Sequence, residues 1–196
     1  MTTPPPFDIT LGILAGGRAT RLGGLDKAWL ERDGVAQVLR WTRRFAAETA
    51  AVLVSANHGI ERYALHGLET VADRVGDAGP LGALDALANR CRTPWLLTVP
   101  VDLVGVNECL LPSLAAAGGQ GASAEDDDGP QPLVALWRTD TLRPAVREAL
   151  AEGALSVQAV QVRLGMPAVR FAGVRFGNLN TPADLAAAGL QPGAPA

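Results

Sequence analysis

The chain has 196 residues, 48% apolar and 19% charged, which suits one soluble domain with a full core, and its formal net charge of -3 excludes a general nucleic-acid binder. Its 22 glycines and 14 prolines recur at no fixed period, which excludes collagen and solenoid architectures. The two cysteines, Cys91 and Cys109, lack any metal-site spacing, so buried or half-buried thiols in a reducing cytoplasm are expected rather than zinc or a disulfide scaffold.

Residues 1–7 carry no basic stretch followed by an apolar one, so they read as a flexible N-terminus and not as a signal peptide. Asp8–Leu14 is an aliphatic, β-branched run that predicts a strand ending in a tight loop at Ala15-Gly16-Gly17. Ala36–Ala47 sets Val38, Leu39 and Phe45 against Arg40, Arg43 and Arg44, an amphipathic helix. Ala51–Ser55 and Glu69–Ala72 predict strands, and Pro80–Arg90 a helix with a Leu81, Leu84, Leu87, Ala88 stripe. Trp95–Val101 is a near-continuous apolar run, suited to a strand buried on both faces. It ends at Asp102, and no apolar run reaches the ~18 residues that a membrane span needs.

Asn107–Ala117 predicts a helix closed by Gly118-Gly119. Asp126-Asp127-Asp128-Gly129 predicts a solvated hairpin turn, with Leu133–Trp137 as the return strand. A helix capped by Thr139 or Asp140 runs to about Glu152, and another covers Ser156–Arg163. Ala168–Phe171 and Val174–Asn178 read as strands. Thr181 as N-cap, Pro182 at the first position and Asp184 at the third start the last helix. Residues 191–196 read as a disordered tail, leaving 8–190 as the domain. Alternating strands and helices predict a single-domain, Rossmann-like three-layer α/β sandwich with a mostly parallel mixed sheet. Ligands of such sheets bind beyond the carboxyl ends of the strands.

At the first of those ends, the segment 14–27 holds four glycines, Gly16, Gly17, Gly23 and Gly24, with the cations Arg18, Arg21 and Lys27. Glycines let backbone N–H groups converge on an anion, and Arg and Lys supply formal charge to a phosphate. Neither a Walker A loop nor the dinucleotide-binding glycine spacing is present. The run Leu14-Ala15-Gly16-Gly17, then Arg21-Leu22-Gly23-Gly24 and Asp26-Lys27, resembles the signature loop of the molybdenum cofactor guanylyltransferases, MobA-like nucleotidyltransferases of the nucleotide-diphospho-sugar transferase type. The likeness continues through Ser55-Ala56-Asn57, Val71-Ala72-Asp73, Gly79-Pro80-Leu81, Val99-Pro100-Val101-Asp102, Gln131-Pro132-Leu133 and the segment 178–182. Leu22 stands where that family usually has Met, and Gly79–Ala83 varies its usual order; neither departure touches a charged group.

The resemblance implies transfer of GMP from GTP to the phosphate of molybdopterin, with or without its molybdenum, releasing pyrophosphate. It implies catalytic roles for Arg21, Lys27 and Asp102. It implies nucleotide contacts at Leu14, Ala15, Gly16, Gly17, Lys27, Asn57, Asp73, Gly79, Pro80, Leu81 and Asp102, and an acceptor side at Gln131, Pro132, Asn178 and Asn180. Asp102, at the end of a buried strand, is also well placed to hold Mg²⁺, and Asn180 is preferred to Asn178 as a second ligand, one residue of register deciding between them. An acid such as Asp73 can accept from guanine N1–H and the 2-amino group together, although a salt bridge to Arg74 or a helix cap is the plain alternative. His58 and His66 read as surface residues. A phosphate monoester is nucleophilic at neutral pH, so no general base is required. A cytoplasmic enzyme acting without membrane or nucleic acid is expected, with transient contacts to other cofactor-biosynthesis proteins. Two other readings stay open: a cytidylyltransferase using CTP, whose loop usually reads Leu-Ala-Ala-Gly, and a non-catalytic nucleotide-binding homologue.

Overall fold

In the computed structural model, residues 3–16 and 26–192 are described. The strands are β1 (Ile9–Leu14), β2 (Leu30–Arg32), β3 (Val35–Ala36), β4 (Ala51–Ser55), β5 (Glu69–Val71), β6 (Trp95–Pro100), β7 (Gly121–Asp126), β8 (Gly129–Arg138), β9 (Ala168–Arg170) and β10 (Gln191–Pro192). The helices are α1 (Gln37–Arg44), α2 (Ile60–Leu65), α3 (Gly79–Arg90), α4 (Leu110–Ala116), α5 (Thr139–Ala151), α6 (Val157–Arg163) and α7 (Pro182–Ala187). Among the described residues, no helix is long and apolar enough to cross a membrane.

Seven strands form one sheet in the order β5-β4-β1-β6-β8-β7-β9. β5, β4, β1 and β6 run parallel, β8 runs against its neighbours β6 and β7, and β9 is parallel to β7. The core lies on both faces. Ile9, Leu11 and Ile13 of β1 pack with Val38, Trp41 and Leu114 on one side, while Leu14 packs with Leu81, Leu84, Leu87 and Val146 on the other. Strand alternation sends successive side chains to opposite faces, and β1 satisfies it by being buried at every position. Gly12 is the exception in size: a Cβ there would stand 3.0 Å from Leu96 Cδ1 and 3.1 Å from Leu87 Cδ1, so α3 packs closely over it. After β1 the chain proceeds to β4 on one side and returns with β6 on the other. The carboxyl end of β1 is therefore the point where strand order reverses.

The sheet, its parallel half and most helices follow the sequence reading, with differences that have physical causes. Val174–Asn178 is not a strand; it finds no ladder partner, and only Asn178 makes an isolated bridge, to Leu103. Arg138, not Thr139 or Asp140, stands at the N-cap of α5, with no cap bond from its own side chain, while Asp140 Oδ1 accepts from Thr141 N at 2.9 Å inside the first turn. The helix predicted from Asn107 begins at Leu110. The return strand β8 starts at Gly129, directly after the turn, rather than at Leu133. The expected disordered tail is ordered at Gln191 and Pro192, which pair antiparallel with Glu31 and Leu30 in a second sheet of order β10-β2-β3. β2 and β3, of three and two residues, are too short to show a period in sequence. Cys91 is buried as expected, whereas Cys109 is exposed.

Candidate active site

Four strand ends stop level with one another. Ala15 N donates to Ser55 O at 3.0 Å, Val101 N to Leu14 O at 3.0 Å, and Ala56 N to Val71 O at 3.0 Å. The residues that follow β1, β4, β5 and β6 are thereby brought to one edge: Ala15 and Gly16, Asn57, Asp73 and Asp102.

On the β6 side, Lys27 Nζ donates to Asp102 Oδ2 at 2.9 Å and to Asn180 Oδ1 at 3.1 Å. Residues separated by 75 and 153 positions in sequence thus meet at one cation. Lys27 opens a short 3-10 turn, Lys27–Trp29, capped by the Asp26 carboxylate accepting from Ala28 N. The turn bearing Asp102 is pinned from beneath by α1. Gln37, 2% exposed, donates from Nε2 to Leu103 O at 2.9 Å, and Trp41 Nε1 donates to Val101 O at 3.3 Å. Asp102 O in turn accepts from Leu179 N at 2.9 Å, which sets the strand-like segment before Asn180. Asp184 completes the support: its Oδ2 accepts from Asn180 N at 3.0 Å and Thr181 N at 2.8 Å, the capping box expected from the sequence. Hydrogen bonding from Thr181 and Asn180, with the nearby Lys27 charge, holds the Asp184 carboxyl below its ordinary range.

On the β4 and β5 side, Asn57 and Asp73 bond reciprocally. Asn57 Nδ2 donates to Asp73 Oδ2 at 2.9 Å, while Asp73 N donates to Asn57 Oδ1 at 2.9 Å. Ser55 Oγ adds a longer contact to Asp73 Oδ1 at 3.4 Å. The alternative salt bridge between Asp73 and Arg74 is not made; Arg74 reaches Asp85 instead, at 3.7 Å. A Cβ at Gly82 would stand 3.7 Å from Asp73 Cγ, so the first turn of α3, with Gly79, Pro80 and Leu81, lies beside this carboxylate. Gly79 has φ +56°, a conformation that costs glycine little and other residues more. One at Gly16 would stand 3.7 Å from Asn57 Nδ2, linking the first loop to the same cluster.

The predicted acceptor-side residues are more spread. β8 pairs with β6 so that Thr98 lies opposite Ala135, and continuing that register leaves Gln131 and Pro132 overhanging the end of β6. Gln131 Nε2, however, donates to Asp126 Oδ1 at 3.1 Å, and Pro132 O accepts from Gln161 Nε2 at 2.8 Å. Asn178 and Asn180 are both exposed, and the side chain that meets Lys27 is that of Asn180. Gly17 and Arg21 lie outside the described residues, as do Arg18, Gly23 and Gly24. His58 and His66 are exposed, as expected.

The acidic turn needs a correction. Asp127 and Asp128 are exposed, but Asp126 is 0% exposed. Its Oδ2 accepts from Phe176 N at 2.8 Å, across 50 residues, and its Oδ1 from Asp128 N at 3.0 Å. Burial would raise its pKa, but these N–H groups, with Gln131 and Gly129, outweigh it and hold the carboxyl below its ordinary range. Asp126 therefore ties the hairpin to the segment leading to Asn180. The sequence reads Asp126 as a solvated turn residue, and it assigns no role at the site to Gln37 or Trp41. The one signal available was a glutamine on the apolar face of an amphipathic helix.

Residues 11–164 match the MobA-like NTP transferase domain family. The chain belongs to the MobA-like NTP transferase family. Its relatives within it include a protein of Serratia proteamaculans named molybdenum cofactor guanylyltransferase, 34% identical over 182 residues, covering 90% of this chain and 92% of the relative. One of the same name from Pseudomonas paraeruginosa is 34% identical over 189 residues, covering 93% of this chain and 94% of the relative. The fold is shared with the crystal structure of molybdopterin-guanine dinucleotide biosynthesis protein A from Archaeoglobus fulgidus, at TM-score 0.68, 20% identity, and coverage of 91% and 96%. The match to a MobA-like domain spans β1 to the end of α6, so the Asn57–Asp73 pair, Lys27 and Asp102 lie inside it and Asn180 lies beyond it.

Proposed function

We propose that this MobA-like chain is a guanylyltransferase that moves GMP from GTP to the terminal phosphate of molybdopterin. An oxygen of that phosphate attacks the α-phosphorus, the bond from the α-phosphorus to the bridging oxygen breaks, and pyrophosphate leaves. The observation that carries the reading is the meeting of Lys27, Asp102 and Asn180 beside the strand-order reversal, with the Asn57–Asp73 pair on the other side of β1. The relatives' name, molybdenum cofactor guanylyltransferase, supports guanylyl transfer to that cofactor.

In this reading Asp73 receives the base. Its side chain is held by Asn57 Nδ2 at Oδ2, which leaves an acceptor site on each oxygen for a base. Guanine offers two adjacent donors to such a group; cytosine offers no such pair. Asn57 acts by holding Asp73, since both ends of its amide are already bonded there. Lys27, with Arg21 from the first loop, neutralises charge on the triphosphate, and the backbone at Gly16 and Gly17 approaches the phosphates. Asp102 and Asn180 present a carboxylate and an amide oxygen side by side, both bonded to the Lys27 ammonium, and such hard oxygen donors are the kind Mg²⁺ takes together with phosphate oxygens and water. Bound there, Mg²⁺ would offset charge developing on the transferred and leaving phosphates. Catalysis by this chain is then positioning and charge stabilisation, and no residue need remove a proton.

Purified protein given molybdopterin, Mg²⁺ and either GTP or CTP tests the reading by pyrophosphate release. Release with GTP at least tenfold faster than with CTP, abolished by EDTA, is expected. Preference for CTP would establish the cytidylyl reaction instead, and no release with either would favour a binding protein without turnover.

A further inference from the structure

Lys27 is engaged in a way that its role at a phosphate does not require. Its ammonium donates to Asp102 Oδ2 and Asn180 Oδ1, the same two oxygens that the proposed function gives to Mg²⁺. The contacts are 2.9 Å and 3.1 Å, ordinary for charge-assisted hydrogen bonds, whereas Mg²⁺ takes its oxygens at about 2.0–2.1 Å in a tight octahedron. A divalent ion at those oxygens would lie against the ammonium, so the two cations cannot share them. The pair is also sheltered, with Lys27 20% and Asp102 25% exposed at the side chain, which limits how far solvent screens such repulsion.

We propose that Lys27 is a positioning residue as well as a phosphate ligand: it holds the two metal ligands together and surrenders them only when a triphosphate draws the ammonium away, so that the divalent ion enters with the nucleotide and not before it. The supports around the pair agree with a built arrangement. Gln37 and Trp41 fix the backbone of the Asp102 turn at Leu103 O and Val101 O, and Asp184 fixes the Asn180 backbone N–H, so both ligand-bearing residues stay anchored at this edge when the ammonium moves. Lys27 itself sits on a long side chain after the first loop, with four rotatable bonds that allow the move. Two oxygens held this way resist a lone divalent ion, and a triphosphate relieves both obstacles at once, because it offers the ammonium another anion and brings further oxygens for the metal. This inference rests on the metal reading given above, and its test separates the two.

The measurement is Mn²⁺ binding by water-proton relaxation, which reports protein-bound Mn²⁺, for wild type, Lys27→Met, Asp102→Asn, and Lys27→Met with Asp102→Asn, each with and without GTP and without acceptor. Without GTP, Lys27→Met should bind Mn²⁺ about tenfold more tightly than wild type, as expected when a neighbouring like charge is removed from a carboxylate. Adding Asp102→Asn should remove that gain. A gain under about twofold, or one that survives Asp102→Asn, overturns the exchange. If wild type with GTP binds Mn²⁺ and Asp102→Asn alone abolishes it while Lys27→Met gives no gain, the metal reading stands and only the exchange falls. If Asp102→Asn changes Mn²⁺ binding in no sample, the metal reading falls and the exchange with it.

Discussion

Replacing Asp73 by Asn should weaken GTP binding by about 10- to 150-fold, and the magnitude follows from counting acceptors. An ionised carboxylate offers about four lone-pair sites. Asn57 Nδ2 occupies one on Oδ2 at 2.9 Å and Ser55 Oγ one on Oδ1 at 3.4 Å, which leaves one free site on each oxygen for the two donors of guanine. In the variant, Asn57 Nδ2 still needs an acceptor, so the amide oxygen turns toward it and the NH₂ group faces guanine. One charge-assisted hydrogen bond to guanine is lost, about 1.5–3 kcal/mol, which at about 1.4 kcal/mol per decade gives the stated range. The Asp73 backbone N–H keeps its bond to Asn57 Oδ1, so the side chain remains in place and the loss is one of recognition. Calorimetric Kd values for GTP and ITP make the assay specific, because ITP lacks the 2-amino group. Wild type should prefer GTP to ITP by about tenfold, and Asp73→Asn should bind the two within about threefold of each other. A variant that binds GTP within threefold of wild type, or keeps the full preference over ITP, would refute Asp73 as the reader of the base.

Asp126→Asn strands a buried donor, since the amide cannot accept from Phe176 N on one oxygen and from Gln131 and Asp128 on the other; urea unfolding at pH 7 should show a loss of about 1–3 kcal/mol. The native carboxyl is held below its ordinary range, so its stabilisation is present above the unfolded pKa of about 3.9 and is lost as pH falls through the lower, folded value. The gap between wild type and variant should therefore narrow below about pH 4, and a gap that is constant with pH would contradict the assignment. Gly12→Ala should cost about 1 kcal/mol by the same measurement, at the low end for overpacking, because the contacts it meets at 3.0 Å and 3.1 Å are the movable ends of Leu96 and Leu87; a stabilised variant would show that α3 packs more loosely over β1.

The parallel half of the sheet was legible because β1, β4 and β6 are largely aliphatic runs and β5 a short β-branched one, each followed within two residues by a Gly, Asn or Asp. That pattern also located most of the site: Gly16, Asn57, Asp73 and Asp102 are all the residues just past such runs. The capping box at Thr181–Asp184 was legible for a different reason, as its chemistry is complete within four residues. The segment 174–178 has the composition of a strand, but its backbone bonds are scattered over Asp127, Val104 and Gly105 and form no ladder, and no local property of a segment reports that. β2, β3 and β10 are two or three residues each, shorter than any period that could reveal them.

The net charge of -3 and the glycine-rich loop with its three cations are properties of the chain itself, and they were sufficient to point to a phosphate ligand held by local groups. Strand ends, turn chemistry and capping are likewise local, since hydrophobic period and backbone preference act over a few residues. Which oxygens Lys27 meets, which asparagine faces it, and why Asp126 is buried while Asp127 and Asp128 are not were decided only by the tertiary structure. Each of those contacts joins segments five to more than a hundred residues apart. A side chain's partner at that range is set by how the strands register and the helices pack, and the same residue types in the same local sequence could have faced solvent instead.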